Sequence, residues 1–457
     1  MLNRRIYNLT KPILLVNDID LIKLLTIKDF EYFTDHMAYA RADVDSLWSK
    51  NIFAMRGESW RDMRATLSPA FTGSKMRFMF NLINDCAEKF AEYYLKQDND
   101  IISLEMKDAY SRTTNDIIAS CAFGIQCDSL NDRENEFYVK SRKAFDFSGF
   151  RQFNYFLYNA CPKLISILGL KVFTDEIGDF FRSVINETID MREKKEIVRP
   201  DLINLLLEAR SGKLQEENTA VKESFAETKE YSLNKKINKI KITNEDITAQ
   251  ALIFFVGGFD TTSYLLCFLS YELAVNIDVQ EKLRKEIQET LEECNGKLIY
   301  VALMKMKYLD MVISEVLRKW PAAAVIDRIC IKDYTIKASK SDEKDYLVKK
   351  NDVIWFPTFG IHRDPDFYPN PGVFDPERFS AENRGNINAS SYIPFGTGPR
   401  NCIGSRFAIL INKAVIFQLL RSFSIIPIEK TVIPLKVSAK NMAITSENGF
   451  WLGLKRL

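Results

Sequence analysis

Phe395-Gly396-Thr397-Gly398-Pro399-Arg400-Asn401-Cys402-Ile403-Gly404 is the stretch on which the fold turns. It closes a segment, 359–400, that is rich in Pro, Gly, Asn and Asp and far longer than an ordinary connection; a coil of that kind is usually functional. It opens onto an apolar run, 404–422, with helical spacing. A cysteine just before a helix meets the positive end of the dipole and free backbone N–H groups, which favour its thiolate. Gly398 and Gly404 allow a tight turn and close approach to a flat group. Arg400, two residues before the cysteine, can pair with an anion. A lone cysteine here would read as a buried structural thiol. With Phe395, Gly398, Arg400 and Gly404 at these spacings, Cys402 reads as a ligand.

The rest of the chain limits what that ligand serves. In 457 residues, 63 Lys+Arg against 61 Asp+Glu leave a net charge of +2, without the positive field of a general nucleic-acid binder. A hydrophobic fraction of 46% supports a sizeable core and excludes a disordered chain. Only two histidines, His36 and His362, are present, so no site built of several histidines is possible. None of the eight cysteines forms a CxxC pair, which excludes zinc-ribbon and thioredoxin-like sites, and in a chain this long they read as reduced, mostly buried thiols of a cytosol-facing protein rather than a disulfide frame. The first residues lack the apolar stretch of a signal peptide. The most apolar stretch, 251–270, is interrupted by Asp260 and two glycines, and is expected to be a buried helix rather than a membrane span.

Periodicity predicts a mainly α fold with a small β part. A short strand and helix occupy 12–33. Helices follow over 58–95 (broken at Ser68-Pro69), 105–123, 133–145, 162–194 and 200–210. Residues 211–242, dominated by Gly, Ser, Lys and Glu, read as a charged, solvated surface loop of the same domain, with an interdomain linker as the alternative. A long helix starts at Thr243, whose pairing with Asp246 is an N-cap pattern, and runs to about Ala274. Helices over 277–293 and 303–319, strands over 322–358 and the helix after Gly404 complete the pattern.

Three further groups carry chemistry. Gly257-Gly258-Phe259-Asp260-Thr261-Thr262 lies midway along the long helix. Paired glycines cost about 1 kcal/mol each in a helix interior, which calls for either a groove beside a cofactor or close packing on another helix. Asp260 and Thr261 are polar groups in an apolar helix, costly if unpaired. Glu315 and Arg318 form an ExxR pair that alone would pass for a surface salt bridge. Trp60 and Arg64, one turn apart, can face one anion or can be a half-buried indole beside a surface arginine.

Taken together these motifs resemble the cytochrome P-450 family, whose haem signature FxxGxRxCxG is met at every fixed position of 395–404. The resemblance covers nearly the whole chain and implies a single domain over 1–457, built around a long central helix. It implies haem b with the Cys402 thiolate as axial ligand. Phe395 and Gly404 belong to the same loop, and Trp60, Arg64, Arg328 and Arg400 are implied to hold the haem propionates. Thr261 is implied to hold dioxygen and water by hydrogen bond, and Asp260 to help relay protons. Glu315, Arg318 and Arg378 (in PERF) are implied to form a buried structural triad.

The segments WRDMRATLSPAFTGSKM and HRDPDFYPNPGVFDPERF are similar to insect microsomal detoxifying enzymes, related to the mammalian drug-metabolising type. The resemblance therefore implies a monooxygenase of hydrophobic small molecules, using O₂ and electrons from NADPH through NADPH-cytochrome P-450 reductase, with cytochrome b5 as a further donor. It places the protein at the cytosolic face of the endoplasmic reticulum. Such enzymes begin with an apolar anchor and a proline-rich hinge ahead of the first strand, and the chain is expected to lack both, leaving peripheral membrane contact. Residues 145–158, with seven aromatic side chains, are implied to roof the substrate pocket and touch the bilayer. Ile52, Phe53, 145–173, Phe254, Phe255, 322–326 and 442–445 are expected to set substrate choice. Arg61, Lys75, Arg77 and Arg406 read equally as a docking face for an acidic reductase or as ordinary solvated charge. Two other functions stand beside the monooxygenase: an electron-independent isomerase or dehydratase, and a non-catalytic haem or lipophile binder.

Overall fold

The computed structural model describes residues 4–8, 11–37, 44–145, 169–213, 224–228, 231, 241–338, 344–439 and 443–457. Among them the helices are α1 (Ile19–Lys23), α2 (Ser46–Ser49), α3 (Gly57–Leu67), α4 (Gly73–Leu95), α5 (Met106–Ile118), α6 (Glu136–Phe145), α7 (Asp175–Lys195), α8 (Leu202–Ser211), α9 (Asn244–Val275), α10 (Ile277–Glu293), α11 (Tyr300–Lys305), α12 (Lys307–Lys319), α13 (Thr358–Ile361) and α14 (Ser405–Ser422). The strands are β1 (Arg4–Asn8), β2 (Lys11–Leu15), β3 (Ile101–Glu105), β4 (Ile326–Ile329), β5 (Tyr334–Ile336), β6 (Tyr346–Val348), β7 (Val353–Phe356), β8 (Phe423–Ile426) and β9 (Trp451–Arg456). The fold is mainly helical with a small β part, as the periodicity predicts.

The 32-residue α9 organises the interior. At 1.5 Å per residue it is about 48 Å long. Its start is fixed by a capping box: the Thr243 hydroxyl accepts from the Asp246 N–H, and the Asp246 carboxylate accepts from the Thr243 N–H. It packs against α2, α5, α7, α10, α12 and α14. It is the one described helix long and apolar enough to span a bilayer, and most of its apolar window is buried inside the protein. Around it, β1–β2–β7–β4 form one sheet, β3–β9–β8 a second and β5–β6 a hairpin-like pair. β2 runs parallel to β7 and β4 antiparallel to it, so Arg328 lies opposite Ile354.

Helix breaks fall where the backbone chemistry places them. Pro69 ends α3 in a 3₁₀ turn, Ser68–Phe71, before α4 starts at Gly73. One expectation fails. The 211–242 loop is not solvated throughout: Ser224, Ala226 and Glu227 are buried. The apolar pair Phe225-Ala226 inside the charged tract anchors it, and composition averaged over the tract hid that. The remainder of this loop lies largely outside the described residues.

Candidate active site

The Cys402 turn is built by two glycines in the left-handed region, Gly396 at φ +77° and Gly398 at φ +76°. At Gly398 a Cβ would stand 1.9 Å from the Thr26 carbonyl oxygen, so both conformation and space demand glycine there. The Cys402 N–H donates to the Phe395 carbonyl at 2.8 Å, closing the loop, and α14 begins three residues later. Cys402 carries open surface, yet the protein around it is dense enough that burial pushes the thiol up, against the Gly404 N–H and the Arg64 charge, which lower it.

The second expected group lies on α9. Gly257 and Thr261, one turn apart, carry open surface while Phe255, Phe259 and Thr262 around them are buried. A Cβ on Gly257 would meet nothing within 4 Å, whereas one on Gly258 would press on Ile118 of α5 at 3.0 Å. The two glycines thus divide the roles left open by the sequence: Gly257 borders a void and Gly258 permits helix packing. α9 packs on α14, the helix that follows Cys402. Thr261 Oγ1 donates to the Gly257 carbonyl at 2.5 Å. Asp260 is held by Lys107 of α5: Lys107 Nζ lies 2.5 Å from Asp260 Oδ1 and 2.5 Å from Ser263 Oγ, over the Tyr264 ring. Sequence reasoning missed Lys107, because a lysine on an amphipathic helix 153 positions from its partner carries no local signal.

The four groups assigned to the anionic edge lie together. Trp60 is buried beneath the Arg400 guanidinium, whose carbon sits 4.0 Å from the indole ring centroid. Arg400 donates to the carbonyls of Thr34, Ile52, Phe53 and Met55, tying down the chain ahead of α3. Arg64 donates to the Asn401 carbonyl at 3.0 Å and to its side-chain oxygen at 2.7 Å. Burial, together with repulsion from Arg328 and Arg64, brings the Arg400 pKa down to about 8. Burial brings Arg328 down to about 10. Arg328 Nε is buried without a hydrogen-bond partner among the described residues. A second miss sits beside it: His36 Nδ1 meets Asp327 Oδ1 at 3.0 Å, and the pair leaves Asp327 near 2. A cluster of buried and part-buried cations with an orphaned donor, together with the Cys402 thiol in its glycine turn, fits a flat dianionic group with a soft-ligand metal. The residues therefore suit haem b.

Behind α9 the triad is assembled. Glu315 and Arg318, both fully buried, form a two-pronged pair at 2.8 and 2.7 Å. Arg378 Nε lies 3.5 Å from Glu315 Oε1, and the Asp375 N–H donates to the same oxygen at 3.0 Å. Burial raises Glu315 and Arg318 opposes this. Arg318 also donates to the carbonyls of His362, Pro371 and Val373. His362 Nε2 accepts from the Ile393 N–H at 2.9 Å, which leaves Nδ1–H to donate to the Arg318 carbonyl at 3.2 Å. The helix carrying ExxR is thereby bolted to the coil that leads into Cys402.

Other expected positions are distributed as follows. Phe254 is half-buried with its ring 4.9 Å from Phe71, and Phe53 stacks on His36. Ala322 and Ala323 carry open surface. Phe255 is a correction. It is fully buried among Phe123, Phe137, Phe181 and Phe259, and is a core residue rather than a pocket wall, because one position along a helix turns a side chain by 100°. Residues 146–168 and Met442 lie outside the described residues. The basic residues considered for docking are engaged: Arg61 with Glu31, Lys75 with Glu208, Arg406 with Glu227, and Arg77 over the Tyr300 ring.

Comparison with known proteins supplies the remaining identification. The family model "Cytochrome P450" matches residues 4–452. "Cytochrome P450 9e2" of Blattella germanica is 43% identical over 98% of this chain and 84% of its own length. "Probable cytochrome P450 9f2" of Drosophila melanogaster is 44% identical over 98% and 85%, and "Cytochrome P450 6k1" of Blattella germanica 36% identical over 97% and 82%. With the family model matched along almost its entire length, the chain belongs to the cytochrome P450 family of haem-thiolate monooxygenases, whose haem b takes its axial sulfur from a cysteine.

Proposed function

We propose that the chain, as one catalytic domain, inserts one oxygen atom of O₂ into bulky hydrophobic small molecules. Two electrons come from NADPH through a separate flavoprotein, NADPH-cytochrome P-450 reductase, with cytochrome b5 as an additional donor. The site of action is the cytosolic face of the endoplasmic reticulum, with peripheral membrane contact. The observation that carries this reading is the open surface at Gly257 and Thr261, set in an otherwise largely buried helix, together with the open surface at Cys402 at the start of α14.

When bound, the haem supplies the redox chemistry that activates O₂, its thiolate favouring O–O cleavage. The residues of the chain do the rest. Cys402 provides the sulfur at the mouth of α14, and its turn is shaped by Gly398 and closed by the Phe395 carbonyl. Arg64, Arg328 and Arg400, with Trp60, offer positive charge to the two propionates. The Thr261 hydroxyl, now turned back to the Gly257 carbonyl, rotates to hold a water or dioxygen. Asp260, held by Lys107, passes protons toward Thr261. Phe53, Phe254 and the alanines at 322–324, none of them fully buried, are the apolar groups we assign to a lipophilic substrate.

The test is turnover of a lipophilic substrate with NADPH and reductase. Thr261→Ala should lower product formed per NADPH consumed and raise peroxide release. Unchanged coupling would refute the role of Thr261. Turnover without NADPH or reductase would instead favour an isomerase or dehydratase.

A further inference from the structure

α5 lies against α9, and polar side chains reach across between them. The Tyr110 hydroxyl meets Ser270 Oγ at 2.6 Å, and Thr114 Oγ1 donates to the Phe259 carbonyl at 3.3 Å. Both contacts pair neutral groups, as buried polar atoms between packed helices require. Lys107 brings a charge instead, and brings it to the acid that precedes Thr261. Its Nζ lies 2.5 Å from Asp260 Oδ1, 2.5 Å from Ser263 Oγ and 3.6 Å from the centre of the Tyr264 ring. The Ser263 hydroxyl donates to the Asp260 carbonyl at 2.9 Å, so its oxygen is free to accept from the ammonium.

Local structure does not account for this lysine. It is the second residue of α5, where a cation opposes the helix dipole. The neighbouring acids are committed elsewhere: Glu105 accepts from the Asp108 and Phe450 N–H groups, and Asp108 pairs with Arg112 and Arg133. The charge of Lys107 is balanced across the interface by Asp260. Asp260 and Thr261, in turn, share no hydrogen bond among the described residues, and the Thr261 hydroxyl is turned to the Gly257 carbonyl.

We infer that Lys107 is a positioning residue for oxygen activation: with Ser263 and Tyr264 it parks the Asp260 carboxylate away from Thr261, and proton delivery waits on its release. The inference rests on Asp260 and Thr261 forming the proton relay proposed above. One proton from water neutralises Asp260 as it leaves the ammonium, then passes to the Thr261 hydroxyl, while Lys107 keeps its own protons. The two side chains are 21% and 37% exposed, so the ion pair is partly screened. The restraint is accordingly worth about threefold in rate rather than orders of magnitude.

The experiment uses the haem-loaded full chain with a saturating NADPH-dependent diflavin reductase, following NADPH oxidation in H₂O and in D₂O. Lys107→Met should raise the rate by about threefold and shrink the solvent isotope effect. Lys107→Arg, which keeps a charged donor, should stay near the parent. Lys107→Gln, which keeps a neutral hydrogen bond, should lie between them and serves if Lys107→Met fails to fold. In an Asp260→Asn background, Lys107→Met should change nothing, because the lysine acts only through that carboxylate. A readout without turnover is the infrared stretch of carbon monoxide bound to the reduced chain. It should shift between the parent and Lys107→Met, and not between Asp260→Asn and the double variant. A rate for Lys107→Met at or below the parent's overturns the inference, as does an effect of undiminished size, on rate or band, in the Asp260→Asn background. An Asp260→Asn variant with the parent's rate and isotope effect would overturn the relay reading instead.

Discussion

Replacing Glu315 by alanine should remove a large share of the stability of the fold. The carboxylate receives two hydrogen bonds from Arg318 and one from the Asp375 N–H, and faces Arg378 at 3.5 Å. Arg318 is fully buried, so without its partner it is left as an uncompensated interior charge, a change that costs about 3–5 kcal/mol in comparable buried pairs. The carbonyls of His362, Pro371 and Val373 still accept from Arg318 and soften this toward the lower end. Losing the acceptor for the Asp375 N–H adds about 1 kcal/mol or more. The sum, about 4–5 kcal/mol, is comparable with the total stability of many domains, about 5–15 kcal/mol. Guanidinium unfolding followed by circular dichroism measures it, with haem content after purification as a second readout. Glu315→Ala with Arg318→Met, which removes both charges, should recover much of the loss. A loss below about 1 kcal/mol, or a double variant no more stable than Glu315→Ala, would refute the argument that the pair is a buried clamp.

Two further outcomes follow from particular residues. His362 is fully buried and neutral, and burial with the Arg318 charge brings its pKa from 6.5 to about 3. Between those values the unfolded chain holds the extra proton, so stability is full above pH 6.5 and falls as pH drops; from pH 6.5 to 5 this residue alone costs about 2 kcal/mol. Urea unfolding at the two pH values should show a shallower slope in His362→Gln, and an unchanged slope would refute the assignment. Phe255→Ala should cost about 3–5 kcal/mol of stability through the cavity it leaves in the phenylalanine cluster, while Phe254→Ala should alter substrate binding; spectral titration and thermal unfolding of both variants check this, and the reverse pattern would refute the division.

Motif chemistry was the most legible part of the sequence. The Cys402 turn and the Gly257–Thr262 segment each show a local spacing, the pairing of Glu315 and Arg318 with Arg378 was implied by the family resemblance, and the Thr243–Asp246 pattern marked where α9 begins to within one residue. What stayed hidden depends on long-range approach. Lys107 meets Asp260, and His36 meets Asp327, across sequence separations of 153 and 291, with nothing in either local pattern to announce the partner. Phe255 and Phe254 look alike in sequence, and only the direction of the helix face separates the fully buried ring from the half-buried one. In the 211–242 loop the average composition concealed the short apolar segment that docks beside Cys402, because two apolar residues suffice when their neighbours are held by Asp310, Arg406 and Ser405.

The central claim is that the Cys402 sulfur is the haem ligand. The reduced carbon monoxide difference spectrum of the expressed chain tests it most directly, read beside that of Cys402→Ala. The account requires a band near about 450 nm, the mark of a thiolate-ligated haem, in the parent and its loss in the variant. A parent protein that binds haem without that band, or a variant that retains it, would contradict the account.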